Sequence, residues 1–102
     1  MITLSPSGLE VRLVMSEMGP WDGTKERLLR IQTRLNEYLA FALDGELSRR
    51  FPEDVGKKVH IRIDCDHVPD DVSSAFLERA RKVAELNGVS LSIELLRQLG
   101  EA

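Results

Sequence analysis

Apolar and polar residues alternate along three segments of the chain, with the period of two expected of strands that bury one face. The first segment covers residues 9–17, with Val14 as the one exception, and the same alternation recurs over residues 59–66 and 89–95. Residues 2–5 read as a short strand that precedes a Pro-Ser-Gly turn. The sequence therefore predicts an N-terminal hairpin followed by two further strands.

Two longer segments repeat apolar residues every three or four positions, the spacing of an amphipathic helix. The first begins after the loop of residues 18–23. It ends at Gly45 or continues to Pro52, and the pattern does not decide between these two C-terminal ends. The second opens at the acidic pair 70–71, where aspartate suits a helix cap, and ends before Gly88. The predicted core positions are Leu28, Ile31, Leu35, Tyr38, Leu39 and Ala42 in the first helix and Val72, Phe76, Ala80, Val83 and Ala84 in the second.

The resulting order is ββαβαβ, and its layering follows from the polar faces of the strands. Strands covered by helices on both sides read as continuous apolar runs, so both helices are expected on one face of the sheet. Parallel crossovers are right-handed in almost all proteins, so both crossovers must step in the same direction. The sequence predicts an α/β fold, an α+β-like two-layer sandwich with a four-stranded mixed sheet of order 1-2-3-4.

The length of 102 residues, with 42% hydrophobic and 30% charged residues, fits one globular domain over residues 1–102. Residues 97–102 are expected to form a frayed tail. Cys65 is the only cysteine, so no internal disulfide is possible and a reducing, cytoplasmic compartment is favoured. No segment approaches the roughly 20 apolar residues of a membrane helix. Residues 2–4 lack the basic and apolar segments of a signal peptide, so export by that route is not expected. With no candidate membrane helix, no membrane partner is predicted.

A net charge of −3 argues against nucleic acid as a partner, because phosphate binding needs several converging cations. The one basic concentration is Arg49 and Arg50 with Lys57 and Lys58. The two arginines lie where a helix stops before Pro52, and cations there complement the free carbonyls of the helix end. No nucleic-acid partner is predicted.

Ionisable residues concentrate where two predicted parallel strands end, the place at which α/β sheets bind ligands. The first loop carries Trp21 and Asp22, a possible ligand edge, although Trp21 is expected to pack over the sheet edge. Asp22 or Thr24 is expected to accept from the free amides of the helix that follows. The second loop, residues 64–71, is the densest ionisable segment of the chain, and the two loops are expected to meet.

Asp64, Asp66 and His67 in the second loop are the catalytic alternative, with a divalent metal as one possible use. Their spacing matches no known metal motif, and capping already explains acidic residues in front of a helix. Asp66 and His67 are adjacent, so on a strand they are expected to point opposite ways. Cys65 lies on the apolar side and reads as a buried hydrophobe. The sequence predicts no metal, no cofactor and no complete catalytic motif.

A non-catalytic domain that binds a protein partner, or a second copy of itself, is therefore the main hypothesis. A small two-layer domain leaves one mixed, flat sheet face uncovered, and such a face could pair two copies about a two-fold axis. A small-molecule or metal-dependent enzyme at the strand ends is the alternative. The predicted partner surface comprises Arg12, Val14, Ser16, His60, Arg62, Asp64, Ser92 and Glu94.

Several short motifs are similar to those of a family of small proteins. They are WDGT at 21–24 with ERLL at 26–29, LNEYLAF at 35–41 with DGE at 44–46, and GKKV at 56–59. The chain resembles, over most of its length, an uncharacterised bacterial family of about 100-residue proteins catalogued as a domain of unknown function. The resemblance implies a bacterial, cytosolic protein. Because the family has no assigned activity, it implies no site residue.

Overall fold

The computed structural model describes residues 2–4, 10–54 and 56–96, without the side chains of residues 3, 4 and 54. The predicted turn at 6–8 and the predicted tail at 97–102 lie outside the described residues. The strands are β1 (Ile2–Leu4), β2 (Glu10–Glu17), β3 (Lys58–Cys65) and β4 (Val89–Leu95). The helices are α1 (Lys25–Leu43), α2 (Glu46–Arg50) and α3 (Asp71–Leu86), with a 3-10 helix over Pro52–Asp54.

The four strands form one mixed sheet of order β1-β2-β3-β4, which is the predicted order. β1 is antiparallel to β2, whereas β2, β3 and β4 are parallel. The register pairs Leu13 with Ile61 and Ile61 with Leu91, so the apolar positions of all three parallel strands lie on one face. The predicted α/β class is confirmed, but the combination of four strands with only two helices is wrong, because α2 is a third helix.

The core lies between the apolar sheet face and the helices, since residues from all three helices belong to a single buried cluster with the strands. The helices contribute Ile31 and Leu35 from α1, Leu47 from α2, and Leu77 and Ala84 from α3. The predicted stripe of α1 is correct, because its remaining members pack against the same cluster. The buried strand positions are Val11, Leu13, Met15, Ile61, Ile63, Cys65, Val89 and Leu91.

Gly45 separates α1 from α2 and settles the question that the sequence left open. The Asp44 amide donates to the Ala40 carbonyl oxygen over 2.8 Å and completes the last turn of α1. Gly45 then has a φ of +84°, a left-handed backbone conformation that glycine adopts readily and residues with a side chain avoid. The chain turns there and starts a short new helix, whose Leu47 is buried.

The predicted apolar stripe of α3 is wrong in phase by about one position. Val72 and Val83, predicted as core, are 57% and 52% exposed, and Phe76 is half-buried. The buried side chains are Ser73, Leu77 and Ala84, of which only Ala84 was predicted. The predicted Phe76 and Ala80 are partly buried and pack against the core cluster. One position corresponds to about 100° of rotation around a helix, so a shift of one residue turns a different stripe toward the sheet.

Candidate functional site

The two polar loops meet at the carboxyl ends of β2 and β3. The Gly19 amide donates to Asp66 Oδ1 over 2.8 Å, and Trp21 Nε1 donates to the His67 carbonyl oxygen over 3.0 Å. Parallel strands end at the same edge of a sheet, so the loops that follow them become neighbours. The site is therefore a pair of loops joined by hydrogen bonds, one from each strand end.

Arg27, in the first turn of α1, holds the first loop in place. Its guanidinium donates to the carbonyl oxygens of Pro20 and, over 3.1 Å, of Met18. Arg27 Cζ lies 4.3 Å from the centroid of the Trp21 ring, a cation–π contact, and Nε lies 3.5 Å from Glu17 Oε1. Trp21 is only 8% exposed. The indole is thus covered by its own chain, as the packing hypothesis expected, and offers little surface to a ligand.

Asp22 is used within its own loop. Its Oδ1 accepts from the Thr24 amide over 3.0 Å, and this hydrogen bond is the main cause of a lowered pKa for the carboxyl. Thr24 is the N-cap residue of α1, but its side chain makes no capping hydrogen bond. The prediction that Asp22 or Thr24 accepts from the free amides of the helix is wrong, because the bonded amide belongs to the cap residue itself.

Asp66 and His67 contact each other, contrary to the prediction. His67 Nδ1 lies 2.8 Å from Asp66 Oδ1. β3 ends at Cys65, so the alternation of a strand no longer applies to the two residues that follow it. The bond to His67 and then the bond from Gly19 lower the pKa of the Asp66 carboxyl.

Asp64 points elsewhere and does not join that pair. Arg62 Nε donates to Asp64 Oδ1 over 2.8 Å and Arg62 Nη2 to Oδ2 over 3.2 Å, a bidentate pair on the polar face of the sheet. Within residues 2–4, 10–54 and 56–96, no three or more His, Cys, Asp and Glu side chains are arranged to hold a metal ion. Asp22, Asp64 and Asp66 are thus engaged separately, and only Asp66 and His67 come together.

Cys65 is fully buried on the apolar face, with Sγ 3.6 Å from the Glu94 carbonyl oxygen. Burial is the first cause of a raised pKa for its thiol, and the nearby Asp66 and Asp64 charges add to it. A raised thiol pKa lowers the fraction of the nucleophilic thiolate at neutral pH. Cys65 therefore has the surroundings of a small core residue.

The sheet face opposite the helices, here called the open face, carries the predicted partner surface. His60 is fixed on both sides, with Nδ1 2.6 Å from Ser90 Oγ and Nε2 2.6 Å from Ser92 Oγ. Val14 and Asp64 are 6% and 7% exposed, so these two side chains offer little surface to a partner. Alternation assigns a residue to a face but not its depth, and Val14 lies directly across from the long side chain of Arg62. The accessible members are Arg12, Ser16, His60, Arg62, Ser92 and Glu94.

Sequence reasoning placed Glu17 in the first loop but missed Arg27 and the ion pair between the two as organisers of the site. Both side chains are largely buried, at 12% and 14% exposure, although they are charged. The available signal was the position of Arg27, one turn before the buried Ile31 on the core side of α1. A cation there needs partners at the sheet edge, and Glu17 ends the adjacent strand.

Asp70 is the N-cap of α3, and replacing it with alanine is expected to lower the free energy of unfolding by about 0.5–2 kcal/mol. Its Oδ1 accepts from the Ser73 amide over 3.0 Å, a bond that alanine cannot make. Asp71 is the first residue of the helix and makes no such bond, so Asp71→Ala is the matched control, with an expected change of about 0.5 kcal/mol or less. Urea denaturation measures both variants. Equal losses in the two would contradict the assignment of the cap.

None of the helices within the described ranges is long and apolar enough to cross a membrane. A family model described as "Family of unknown function (DUF6572)" matches residues 1–97. The resemblance predicted from the sequence motifs is thereby confirmed as a family of unknown function. No curated protein and no solved structure matches the chain.

Proposed function

We propose that this chain, which belongs to the family of unknown function DUF6572, is a non-catalytic domain that binds a protein partner or a second copy of itself through the open face. The observation that carries the proposal is the fixed arrangement of polar side chains on a flat sheet. His60 is held between two serines of β4, and Arg62 is held by Asp64. Side chains that are ordered before binding lose less conformational entropy when a partner arrives.

The charges of the open face suit recognition of another protein. Arg12 and Arg62 provide cations on β2 and β3, while Glu94 provides an anion on β4, in a register that places Asp64 beside Glu94. Arginine is enriched at interfaces and their rims are polar, and a face that carries both signs can pair with its own copy.

The enzyme alternative has weaker support from the geometry. A catalytic site needs its acid, base and substrate-binding groups to converge on one concave place. Asp64 lies on the open face with Arg62, whereas Asp66 and His67 bind each other and the backbone of the first loop. In this arrangement the acidic side chains hold loops and strands in place and do not converge on one point.

We further propose a cytoplasmic location for this binding domain. The single cysteine is buried and free, so nothing in the sequence draws stability from an oxidising compartment. The bacterial origin implied by the motif resemblance stays a prediction.

Adding positive charge to the open face is expected to weaken association at least tenfold. The double variant Ser16→Lys with Glu94→Lys changes two exposed positions and leaves the Arg62–Asp64 pair intact. Reversal of Arg62 itself is a poorer test, because it would leave the buried Asp64 unpaired. Sedimentation velocity measures self-association, and partner capture from cell extract, quantified by mass spectrometry, measures hetero-association.

The double variant Thr33→Lys with Glu37→Lys is the control, since it makes the same charge change at two exposed positions of α1. Both variants should unfold at similar urea concentrations. Association that is lost equally in both variants, or retained in the open-face variant, would contradict the proposed surface.

A further inference from the structure

A groove runs between α1 and α3 on the other side of the molecule. It encloses about 390 Å³ and reaches down to Ile61 and Leu91 of the sheet. Leu39 lines it from α1, and Phe76 and Val83 line it from α3. The small side chains of Ala80 and Ala84 stand where larger ones would fill the space between the helices. The groove is therefore a depression in the helix layer, and the core residues at its floor, such as Ile61 and Leu91, stay buried.

The groove continues toward both helix ends along one line of residues on each helix, with apolar residues at the ends of these lines and polar residues near the middle. On α1 the residues at 29, 32, 36, 39 and 43 follow alternating steps of three and four, and on α3 those at 72, 76, 79 and 83 do the same. These are heptad steps, which align residues along one seam of a helix. The end members Leu29, Leu43 and Val72 are 51%, 49% and 57% exposed. The two seams border a strip about 20 Å long, at a rise of 1.5 Å per residue.

The length and spacing of the strip fit a helix better than a small molecule. A drug-sized ligand would fill the central cavity but would leave the apolar ends of both seams in water. An amphipathic helix places apolar side chains at the same heptad steps and can pack them into the spaces of two facing seams. Both helices begin at the same edge of the sheet, because each follows the carboxyl end of a parallel strand. The middle parts of the two seams line the same groove, so the seams run side by side there.

The middle of the strip is polar, and its charge indicates which group a bound partner would place there. Gln32 and Asn36 face it from α1, and Arg79 faces it from α3. Arg79 makes no ion pair with another described residue, whereas Arg81, two positions later, pairs with both Glu78 and Glu85. In a chain of net charge −3, an unused cation between two amides favours a carboxylate.

We propose that this groove binds one amphipathic helix of a partner protein, with apolar residues at heptad spacing around a central aspartate or glutamate that pairs with Arg79. This site lies on the helix layer and is independent of the open face. It supplies a use for Val83 of α3, which lines the groove and is too exposed to contribute much to the core. Packing of the apolar residues provides affinity, and the central ion pair fixes the register of the bound helix.

A displayed library of helical peptides tests the proposal directly. The library varies the heptad positions of a 21-residue amphipathic scaffold, about three heptads long, and is selected on the purified full chain with counter-selection on the Val83→Asp variant. We expect enriched peptides to carry large apolar residues at the outer heptad positions and an acidic residue in the middle. For such a peptide, fluorescence anisotropy should show at least tenfold weaker binding to Val83→Asp and to Arg79→Glu.

A charge swap separates recognition from damage to the fold. Arg79 is exposed, so Arg79→Glu should fold normally, and a peptide whose central acid is replaced by lysine should bind that variant better than it binds the unaltered chain. The Ser16→Lys, Glu94→Lys variant should bind the peptide unchanged, which distinguishes this site from the open face. Failure to enrich any peptide, binding indifferent to Arg79→Glu, or a dimer that Val83→Asp dissociates would each overturn the proposal.

Discussion

Replacing Leu77 with alanine is expected to lower the free energy of unfolding by about 2–5 kcal/mol, the range for a buried leucine whose cavity does not collapse. Leu77 is 2% exposed and belongs to the core cluster beneath α3. Phe76, the preceding residue, is half-buried and lines the groove between α1 and α3. Phe76→Ala is therefore expected to cost about 1–2 kcal/mol, less than the roughly 3–5 kcal/mol of a fully buried phenylalanine.

Urea denaturation followed by circular dichroism measures both variants on the same scale. The order of the two losses decides which stripe of α3 faces the sheet, because the two residues are neighbours and differ mainly in direction. A larger loss for Phe76→Ala than for Leu77→Ala would contradict the observed rotation of the helix and restore the stripe predicted from the sequence.

The sequence could not determine that rotation, for a physical reason visible in α3. Two stripes of this helix are apolar, one through Leu77 and Ala84 and one through Val72, Phe76 and Val83. The core stripe contains Ser73, which is fully buried although serine reads as polar, and this lowers the apparent hydrophobicity of the correct face. Only contact with the sheet selects between the stripes, and that contact is tertiary.

The sheet was predictable because its pattern is regular, with Val14 as the one exception. Strands β2, β3 and β4 each alternate between apolar and polar residues, and a slip of one residue would move every apolar side chain to the polar face. The handedness of parallel crossovers then leaves few possible strand orders. α2 escaped prediction because five residues show too little periodicity to be distinguished from the end of α1.

The candidate site was predictable in position but not in its contacts. Parallel strand ends bring the two loops together, and this needs only the order of the elements. The pairs within the site depend on where β3 ends and on how Arg27 reaches back across the first loop. The acidic residues that suggested a metal or a catalytic group are engaged elsewhere, Asp66 by a loop amide and by His67, and Asp64 by Arg62 on the strand, a use that residue types alone do not reveal.

Replacing Trp21 with alanine is expected to lower the free energy of unfolding by about 3–5 kcal/mol, the range for removal of a buried aromatic side chain. Its ring belongs to the core cluster, its Nε1 donates to the His67 carbonyl oxygen, and its face receives the guanidinium of Arg27. The substitution therefore removes packing, a hydrogen bond between the two loops and a cation–π contact together. Because Trp21 is the only tryptophan, unfolding of the variant is followed by circular dichroism.

Trp21→Phe separates packing from the hydrogen bond between the loops. Phenylalanine keeps an aromatic face for Arg27 but has no donor for the His67 carbonyl, so its loss should be smaller, about 1–2 kcal/mol, most of it due to that bond and to the smaller ring. Arg27→Met retains much of the aliphatic stem and removes the guanidinium with its charge and its donors, which tests the cation–π contact together with the bonds to the first loop. A loss below about 1 kcal/mol for Trp21→Ala would mean that the first loop is not anchored to the sheet edge through its indole, since a buried aromatic normally costs several times more.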